Sequence, residues 1–573
     1  MSGWIFHNGL GYDVPVLHDF FGVDIIDPAR VIDTLVVSRL LNYNRQGGHS
    51  LAALGEMLGC PKIEFHDFSA LTEDMVKYLR GDLRTGLKVY QHYEKYIFSE
   101  RWRESLRTEH DAAWYCHIMH ENGFYFDKRT CDNLLDSIQK ELYNLDVEIQ
   151  KAFPPRSKLV REVTPKLTKH GTLSKTDFRW YDGTDFTPFT AGAPFSVIRF
   201  DEFNAGSPTQ IVERLNEAGW KPFEKTKSHI QAERDRDREK LQHFRKTGWK
   251  VSEANLATLP PSAPKAAKSL ARRILLASRE GDLKEWLGAY RQDTGRVHGT
   301  CNPIGAWTGR AAHRNPNTAN IATGDSLYAH EFRGLWTAAP NRLLIGVDAD
   351  GIQLRIFAHY CRDDRLVDAI LRGNKKDKTD IHSVNQHALG NVCKSRDHAK
   401  TYIYAFLLGA GDAKLASVLD CTLAEAKAAR ANFLDFYPGL KELKQEQIPS
   451  DASRGYFEGF DKRLVLCDSE HLMLAGYLQN GEAVIMKKAM QIWWKRLSKE
   501  KVPFWLVNWV HDEWQTETID CMDTASYIAQ VQAEAIRIAG EEYNVYCPLA
   551  GSWQKEENGL MVPSVGTTWC HTH

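Results

Sequence analysis

Three short segments constrain this chain more than any other feature of its sequence. They read VDADGIQLRIFAHY at 347–360, RDHAKTYIYAFLLGAG at 396–411 and VNWVHDEWQTE at 507–517. The first and third place a carboxylate where an apolar run ends, and the second carries cations and an aromatic ring at helical spacing. Each segment alone is a weak signal, but their order and their complementary residue types predict one composite site.

The apolar runs beside the two carboxylates predict the local structure. Residues 343–347 read as a buried strand that ends at Asp348, and residues 352–358 read as a helix after a turn. Residues 505–510 read as a strand that a tight turn at Asp512 joins to a return strand. If the strands that precede the two aspartates are neighbours in one sheet, Asp348 and Asp512 lie close together.

A pair of aspartates suits a magnesium site. Magnesium prefers oxygen ligands, keeps several waters and accepts phosphate oxygens. Two such ions about 3.5–4 Å apart stabilise both the attacking and the leaving oxygen of an in-line phosphoryl displacement. The sequence therefore predicts Asp348 and Asp512 as a catalytic pair that holds two Mg²⁺ ions.

The middle segment predicts how a nucleotide is held. Residues four apart share a helix face, so Arg396, Lys400, Tyr404 and Leu408 form one stripe roughly 18 Å long. An arginine can grip phosphate oxygens bidentately, a lysine supplies a point charge, and an aromatic face stacks on a base. His382, further upstream, is one more candidate for a phosphate contact.

The three segments resemble motifs A, B and C of the family A DNA polymerases, most closely the replicative polymerases of short-tailed phages. The likeness extends to 301–322, 477–490 and 566–573 and covers nearly the whole chain. It implies an α/β multidomain, right-hand fold with an antiparallel palm sheet and helical fingers and thumb. A truncated, ribonuclease-H-like 3′-5′ exonuclease domain would precede that fold.

The resemblance also implies roles for single residues. Asp348, the Ala349 carbonyl and Asp512 would bind metal, with Glu513 beside them as a further catalytic group. The incoming dNTP would contact Gln353, His382, Arg396, Lys400 and Tyr404. Primer-template DNA would contact Arg310, Gln479, His511 and Leu408. The expected reaction adds deoxynucleoside monophosphates to a primer 3′-OH during viral DNA replication in the cytoplasm of an infected bacterium.

Four residues depart from the pattern of the family. Gln353 stands where these enzymes usually have a glutamate that packs under the sugar and excludes a 2′-hydroxyl. Leu408 replaces a tyrosine near the templating base, Ala405 a glycine, and Ala475 an asparagine of the primer-side helix. Because Gln353 keeps the bulk of glutamate without its charge, we expect sugar discrimination to persist and to weaken.

The amino-terminal region resembles part of a proofreading exonuclease. WIFHNGLGYDVPVL at 4–17 and the Tyr78 and Asp82 pair match its second and third motifs. By that resemblance Asn8 belongs to the site, Asp13 and Asp82 bind metal, and Tyr78 orients the attacking water. No Asp-x-Glu pair of the first motif precedes Asn8, so we expect weak or absent proofreading. A late start site, a separate polypeptide that completes the domain, and genuine loss all remain open.

The resemblance divides the chain into five segments. They are a partial exonuclease-like domain at 1–100, a thumb at 101–295 with a basic insertion at about 154–205, palm at 296–360, fingers at 361–460, and palm again at 461–573. Within the thumb, helices are expected at 208–217 and 232–246. In related phage polymerases an insertion at this place recruits host thioredoxin as a processivity factor. The alternative is a basic flap along duplex phosphates, with salt-dependent binding.

Composition agrees with a large intracellular enzyme. With 573 residues, 43% of them hydrophobic, the chain can form several cored domains. The 11 cysteines are scattered without metal-binding spacing, and no apolar run approaches the roughly 20 residues of a membrane span. Neither a signal peptide nor a membrane partner is expected.

Two other functions fit parts of the pattern. A single-subunit phage RNA polymerase shares the metal aspartates and the Arg/Lys/Tyr helix, but it lacks an exonuclease-like domain and has a small residue at the position of Gln353. A non-catalytic DNA-binding remnant is disfavoured because both metal aspartates and both phosphate-binding cations are present.

Overall fold

The structure, a computed structural model, describes residues 3–179, 181, 183, 185–322, 324, 326–557 and 560–572. It divides into two units, one of Met1–Asp127 with Ala289–His573 and one of Lys128–Gly288. His573 of the predicted carboxyl-terminal motif and Trp180, Asp182 and Thr184 of the predicted insertion lie outside the described residues. No helix among those described is long and apolar enough to cross a membrane.

The first unit begins with a small parallel strand pair and several helices. Its elements up to residue 127 are β1 (Trp4–Phe6), α1 (Asp13–Phe21), β2 (Val31–Asp33), α2 (Thr34–Leu41), α3 (Leu51–Met57), α4 (Glu73–Ile97), α5 (Arg103–Asn122) and β3 (Phe124–Phe126). β1 pairs with β2 in parallel register. The predicted thumb at 101–295 includes α5. In the structure this helix belongs to the first of the two compact units.

The second unit is mainly helical. It contains α6 (Lys128–Ala152), β4 (Arg156–Val163), β5 (Phe195–Asp201), α7 (Pro208–Glu217), α8 (Lys227–Arg234), α9 (Arg238–Thr247), α10 (Glu253–Leu256) and nearly all of α11 (Ser269–Ala289). β4 and β5 form an antiparallel hairpin with a bulge, which lies in the predicted insertion. The helix expected at 232–246 is two helices, because Arg236 has a φ of 54° and the Asp237 side chain caps α9.

The chain then returns to the first unit. The next elements are β6 (Tyr290–Arg291), β7 (Arg296–Val297), β8 (Thr300–Asn302), β9 (Ala312–Arg314), α12 (Ala329–Gly334), β10 (Trp336–Thr337), β11 (Arg342–Ala349), α13 (Ile352–Cys361), α14 (Asp364–Leu371), α15 (Ile381–Leu389), α16 (Arg396–Leu407), α17 (Asp412–Leu419), α18 (Leu423–Phe436), α19 (Pro438–Glu442) and α20 (Ile448–Arg454). The last are β12 (Tyr456–Glu458), β13 (Leu464–Leu466), α21 (Glu470–Glu500), β14 (Trp505–Val510), β15 (Glu513–Ile519), α22 (Met522–Glu542), β16 (Gly551–Ser552), β17 (Gln554–Glu557), β18 (Leu560–Pro563) and β19 (Val565–Gly566).

A five-stranded antiparallel sheet carries the segments of greatest interest. Its order is β14-β15-β11-β16, and β19 also pairs with β11. Ile345 and Val347 of β11 join Trp509 and Trp514 in one large core cluster. Trp514 meets Trp493 of α21 with ring centroids 5.8 Å apart. The sheet is thereby fixed to the long helix behind it.

A buried ionic network ties α5 to α21. Lys487 and Glu109 are fully buried, and the Lys487 ammonium donates to both carboxylate oxygens of Glu109 at 2.7 Å. Arg463 joins Glu109 to Asp461, and Lys487 also donates to the Gly309 carbonyl. Removing one member of such a network would leave an unpaired buried charge. Because Lys487 also binds the Gly309 carbonyl, the network holds the loop residue that precedes Arg310.

Candidate active site

Asp348 and Asp512 meet at one end of the antiparallel sheet. Asp348 lies opposite Glu513 in the β11–β15 ladder, and the Ala349 N–H donates to the Asp512 carbonyl at 2.9 Å. The strand that leads to Asp512, β14, is not the neighbour of β11, because β15 lies between them. The tight turn after β14, with His511 at a φ of 53°, brings Asp512 across to the end of β11.

The two carboxylates sit in a strongly unfavourable electrostatic environment. Burial and the neighbouring charges of Asp512 and Glu513 raise the pKa of Asp348 to about 8. Burial and the charge of Glu482 raise the pKa of Asp512 to about 7. Close carboxylates without a cation resist ionisation together, and a bound divalent cation removes that repulsion.

The donor set fits magnesium only when substrate contributes to it. Two carboxylates and the Ala349 carbonyl supply hard oxygen ligands of the kind that magnesium prefers. Over the described part of the chain, no three His, Cys, Asp or Glu side chains gather closely enough to hold a metal ion. Water and phosphate oxygens would therefore complete the coordination.

Glu513 is held by the core beside this site. The side chain is 5% exposed, and its Oε1 accepts hydrogen bonds from Gln515 Nε2 at 2.5 Å and Trp569 Nε1 at 2.7 Å. Trp569 belongs to the carboxyl-terminal segment that the family resemblance singled out. The arrangement fixes the carboxylate next to Asp348, and its catalytic role stays a prediction.

The raised pKa values predict a pH dependence of stability. A carboxyl whose pKa is higher in the folded than in the unfolded protein binds more protons when folded, so its contribution falls as pH rises. We expect Asp348→Asn to stabilise the metal-free protein relative to the native chain by about 1–2 kcal/mol at pH 8.5 and by less than half of that at pH 5, nearer to the ordinary pKa of an aspartate. Calorimetry in EDTA at both pH values measures the difference. A difference that does not change with pH would contradict the assignment of repulsion to Asp348.

The predicted stripe on α16 is an open surface. Lys400 is exposed, and neither an ion pair nor a hydrogen bond engages its ammonium within the described residues. Tyr404 is 37% exposed and Leu408 is 56% exposed, so both offer apolar surface to a ligand. Burial and the charge of Asp512 raise the pKa of Tyr404, which puts this helix face within electrostatic reach of the sheet end.

Arg396 already has a partner that sequence reasoning missed. Its Nε and Nη2 donate to one oxygen of Asp380, at 3.0 and 2.8 Å, while its Nη1 takes no part in that pair. Burial opposes ionisation of Asp380, but hydrogen bonds from Arg396 and Ser383 lower its pKa to about 2. The sequence signal was the position of Asp380 immediately before α15, where its side chain caps the helix.

His382 faces the same region from α15. Its ring centroid lies 6.2 Å from that of Tyr404. The side chain is 8% exposed and its buried Nδ1 has no hydrogen-bond partner among the described residues. Burial and the charge of Arg396 lower the pKa of His382, so the neutral ring is favoured. The structure thus brings His382, Arg396 and Tyr404 together.

Arg310, one of the residues expected to contact primer or template, pairs with a buried carboxylate, Glu482. Arg310 Nη2 donates to Glu482 Oε2 at 2.5 Å, and Gln353 Nε2 donates to the same oxygen at 2.8 Å. Gln479, one helical turn earlier on α21, is half-buried, and His511 is exposed. Sequence reasoning missed Glu482, although its spacing of three from Gln479 places both on one helix face.

The amino-terminal candidates fall into two places. Asp13 and Asp82 line one cavity of about 550 Å³, which His7 and Lys62 also line. Lys62 Nζ lies 2.9 Å from Asp82 and 4.9 Å from the ring centroid of Tyr78. Asn8 lines a different cavity, beside Asp33, whose carboxylate accepts from the Asn8 N–H. Of the two carboxylates expected to bind metal, Asp82 is therefore already paired with the ammonium group of Lys62.

The fold is that of a polymerase domain. Over its full length the chain matches 87% of a solved structure, the POL domain of Pol1 from M. smegmatis in complex with DNA primer-template and dNTP. The TM-score is 0.69 at 17% sequence identity, which shows a shared fold.

Sequence comparisons give the family. The model of DNA polymerase family A matches residues 193–550. The chain is 27% identical to the DNA-directed DNA polymerase of Escherichia phage T7 over 95% of this chain and 90% of that protein. The corresponding protein of Escherichia phage Phieco32 is 33% identical over 41% of each chain. This chain belongs to DNA polymerase family A and is a DNA-directed DNA polymerase.

The family assignment decides between the alternative functions considered for the whole chain. The predicted membership and enzyme class are confirmed, so the single-subunit RNA polymerase and the non-catalytic remnant are rejected. The exonuclease-like domain, the domain boundaries and the roles of single residues stay predictions.

Proposed function

We propose that this polymerase adds deoxynucleoside monophosphates to a primer 3′-OH at the end of β11, with Asp348 and Asp512 as the metal-binding pair. The observation that carries the proposal is the approach of Asp348, at the end of β11, to Asp512, in the β14–β15 turn, where the Ala349 N–H donates to the Asp512 carbonyl. The carboxylates at the end of β11 and the cationic face of α16 together suit a metal-bound nucleoside triphosphate.

Each side chain of the α16 region has a task in the proposed reaction. Lys400, exposed and unpaired in the described structure, places its charge on the triphosphate. Arg396 contributes its remaining N–H groups while Asp380 fixes its orientation. The neutral ring of His382 contacts a phosphate oxygen, Tyr404 lies against the base and sugar, and exposed Leu408 packs near the templating base.

On the primer side, Arg310, Gln479 and His511 contact the growing end of the DNA. Arg310 is held by Glu482, and burial together with the charge of Arg310 lowers the pKa of His511. A neutral His511 can accept a hydrogen bond at one ring nitrogen and donate at the other.

Magnesium is the proposed cofactor. When bound, it would lower the barrier by neutralising charge on the attacking and leaving oxygens. Asp348, the Ala349 carbonyl and Asp512 would hold it, and Gln515 and Trp569 fix Glu513 beside them.

We place the reaction in viral DNA replication in the cytoplasm of an infected bacterium, because the match to the phage T7 protein spans 95% of this chain. The β4–β5 hairpin stays a candidate for a processivity partner such as thioredoxin, or for a flap on duplex DNA. Arg156 of this hairpin pairs with Glu217 of α7, so one of its predicted cations is already engaged.

A primer-template assay with matched and mismatched 3′ ends tests the proposal. We expect rapid extension of the matched primer with dNTPs and Mg²⁺, and slow or undetectable digestion of the mismatched primer. The reason for slow digestion is that Lys62 pairs with Asp82 and that Asn8 lies in a different cavity from Asp13.

Two outcomes would contradict these expectations separately. Failure to extend a matched primer would count against the proposed polymerase site. Efficient digestion that Asp82→Asn abolishes would show that the amino-terminal carboxylates form a working exonuclease, in this chain or with a partner polypeptide.

A further inference from the structure

Glu482 is a buried acid in contact with Gln353, the residue expected to pack under the sugar of the incoming nucleotide. Its side chain is 1% exposed, and its Oε2 accepts from both Arg310 and Gln353. Its Oε1 is also buried but has no hydrogen-bond partner among the described residues. Isolated charges are rarely kept in protein interiors unless they are paired, so the pairing with Arg310 and Gln353 is the feature to explain.

The hydrogen bond to Glu482 determines the orientation of the Gln353 side-chain amide. An amide has an NH₂ end that donates and an oxygen end that accepts. Because Nε2 donates to Glu482, the oxygen Oε1 is the end left free, and no described residue donates to it. The direction is assigned from the hydrogen-bond network, since only a donor can satisfy the carboxylate.

Gln353 therefore presents an oxygen acceptor, as a glutamate would. The negative charge belongs instead to Glu482 on α21, which Gln353 contacts through its NH₂ group. We propose that Glu482 is a positioning residue for sugar selection: it orients Gln353 so that Oε1 faces the incoming nucleotide, and it couples that side chain to Arg310 on the primer side. The proposal rests on the proposed active site and adds to it a specificity-determining residue.

This arrangement changes the effect expected of a substitution at Gln353. Judged by that residue alone, Gln353→Glu should strengthen discrimination against ribonucleotides. With Glu482 in place, the same substitution sets two carboxylates against each other around one arginine. Like charges in a buried site repel, so we expect the single variant to be impaired.

A double-mutant cycle tests the coupling. The variants are Gln353→Glu, Glu482→Gln and the exchanged pair, which carries both substitutions and restores one acid and one amide. We expect Glu482→Gln to lower the ratio of dNTP to rNTP kcat/KM roughly tenfold, because the amide of Gln353 loses its fixed direction. We expect Gln353→Glu to lower dNTP kcat/KM roughly tenfold, and the exchanged pair to return to within about threefold of the native chain.

Controls separate positioning from stability and from failure of the active site. Glu500→Gln removes a carboxylate from the partly exposed end of the same helix and should leave the ratio unchanged. Tm is measured for every variant, and the exchanged pair remains informative if a single variant folds poorly. Absence of dNTP extension by the native chain would overturn the proposed function itself.

With native synthesis intact, two results would overturn the role of Glu482. One is an unchanged sugar ratio in a stably folded Glu482→Gln variant. The other is an exchanged pair whose losses are the product of the two single losses, since independent residues behave additively in free energy.

Discussion

We expect Asp348→Asn and Asp512→Asn each to slow DNA synthesis by about 10³-fold or more while primer-template binding is retained. Each substitution keeps the shape of the side chain and removes one of the two carboxylates that meet where β11 ends beside the β14–β15 turn. Loss of a metal-binding carboxylate removes stabilisation from the transition state, and a fall of about 10³-fold in rate corresponds to roughly 4 kcal/mol. Single-turnover extension of a preformed DNA complex measures the effect without interference from binding.

The control for this prediction is Asp368→Asn on α14. That carboxylate is 65% exposed and, within the described part of the chain, its ion pair is with Arg372 one turn along the helix, so its loss should cost little. Synthesis by Asp348→Asn within tenfold of the native rate, on fully bound DNA, would show that the catalytic carboxylates lie elsewhere.

Lys400→Ala has the second largest expected effect, a loss of roughly 10²–10³-fold in kcat/KM for dNTP. In other enzymes, removing one group that stabilises developing charge in the transition state lowers kcat by about 10²–10³-fold. Lys400 is exposed and has no ion pair among the described residues, so its removal should not destabilise the fold. Steady-state incorporation of one nucleotide, with Tm measured in parallel, separates the two effects.

Lys427→Ala provides a matched control for Lys400. Lys427 is an exposed lysine on α18, within the same helical region, and should leave kcat/KM within about twofold of the native value. Equal losses in the two variants would mean that general surface charge, rather than a specific phosphate contact, explains the effect of Lys400.

Local structure around the three opening segments could be predicted closely from the sequence. The strand expected at 343–347 is Arg342–Ala349, and the helix expected from residue 352 is Ile352–Cys361. Apolar runs and caps determine such elements within a few residues. Arg396 likewise begins its helix, because Ser395 supplies the amino-terminal cap.

Contacts between distant elements could not be predicted in this way. Glu482 and Gln353 are 129 residues apart, and their hydrogen bond depends on how α21 packs on α13. The insertion of β15 between β14 and β11 was missed because strand order is not encoded in the apolar pattern of one strand. The pairing of Lys62 with Asp82 was missed for a similar reason, because Lys62 lies in a loop outside the motif that contains Asp82.

Counting bound Mn²⁺ tests the central claim most directly. Manganese substitutes for magnesium at oxygen-ligand sites and is visible by electron paramagnetic resonance. In a complex with a chain-terminated primer-template and the correct dNTP, we expect two Mn²⁺ ions per chain, with at least one lost in Asp348→Asn and in Asp512→Asn. Two ions retained at unchanged affinity in both variants would contradict the assignment of these aspartates as the metal-binding pair.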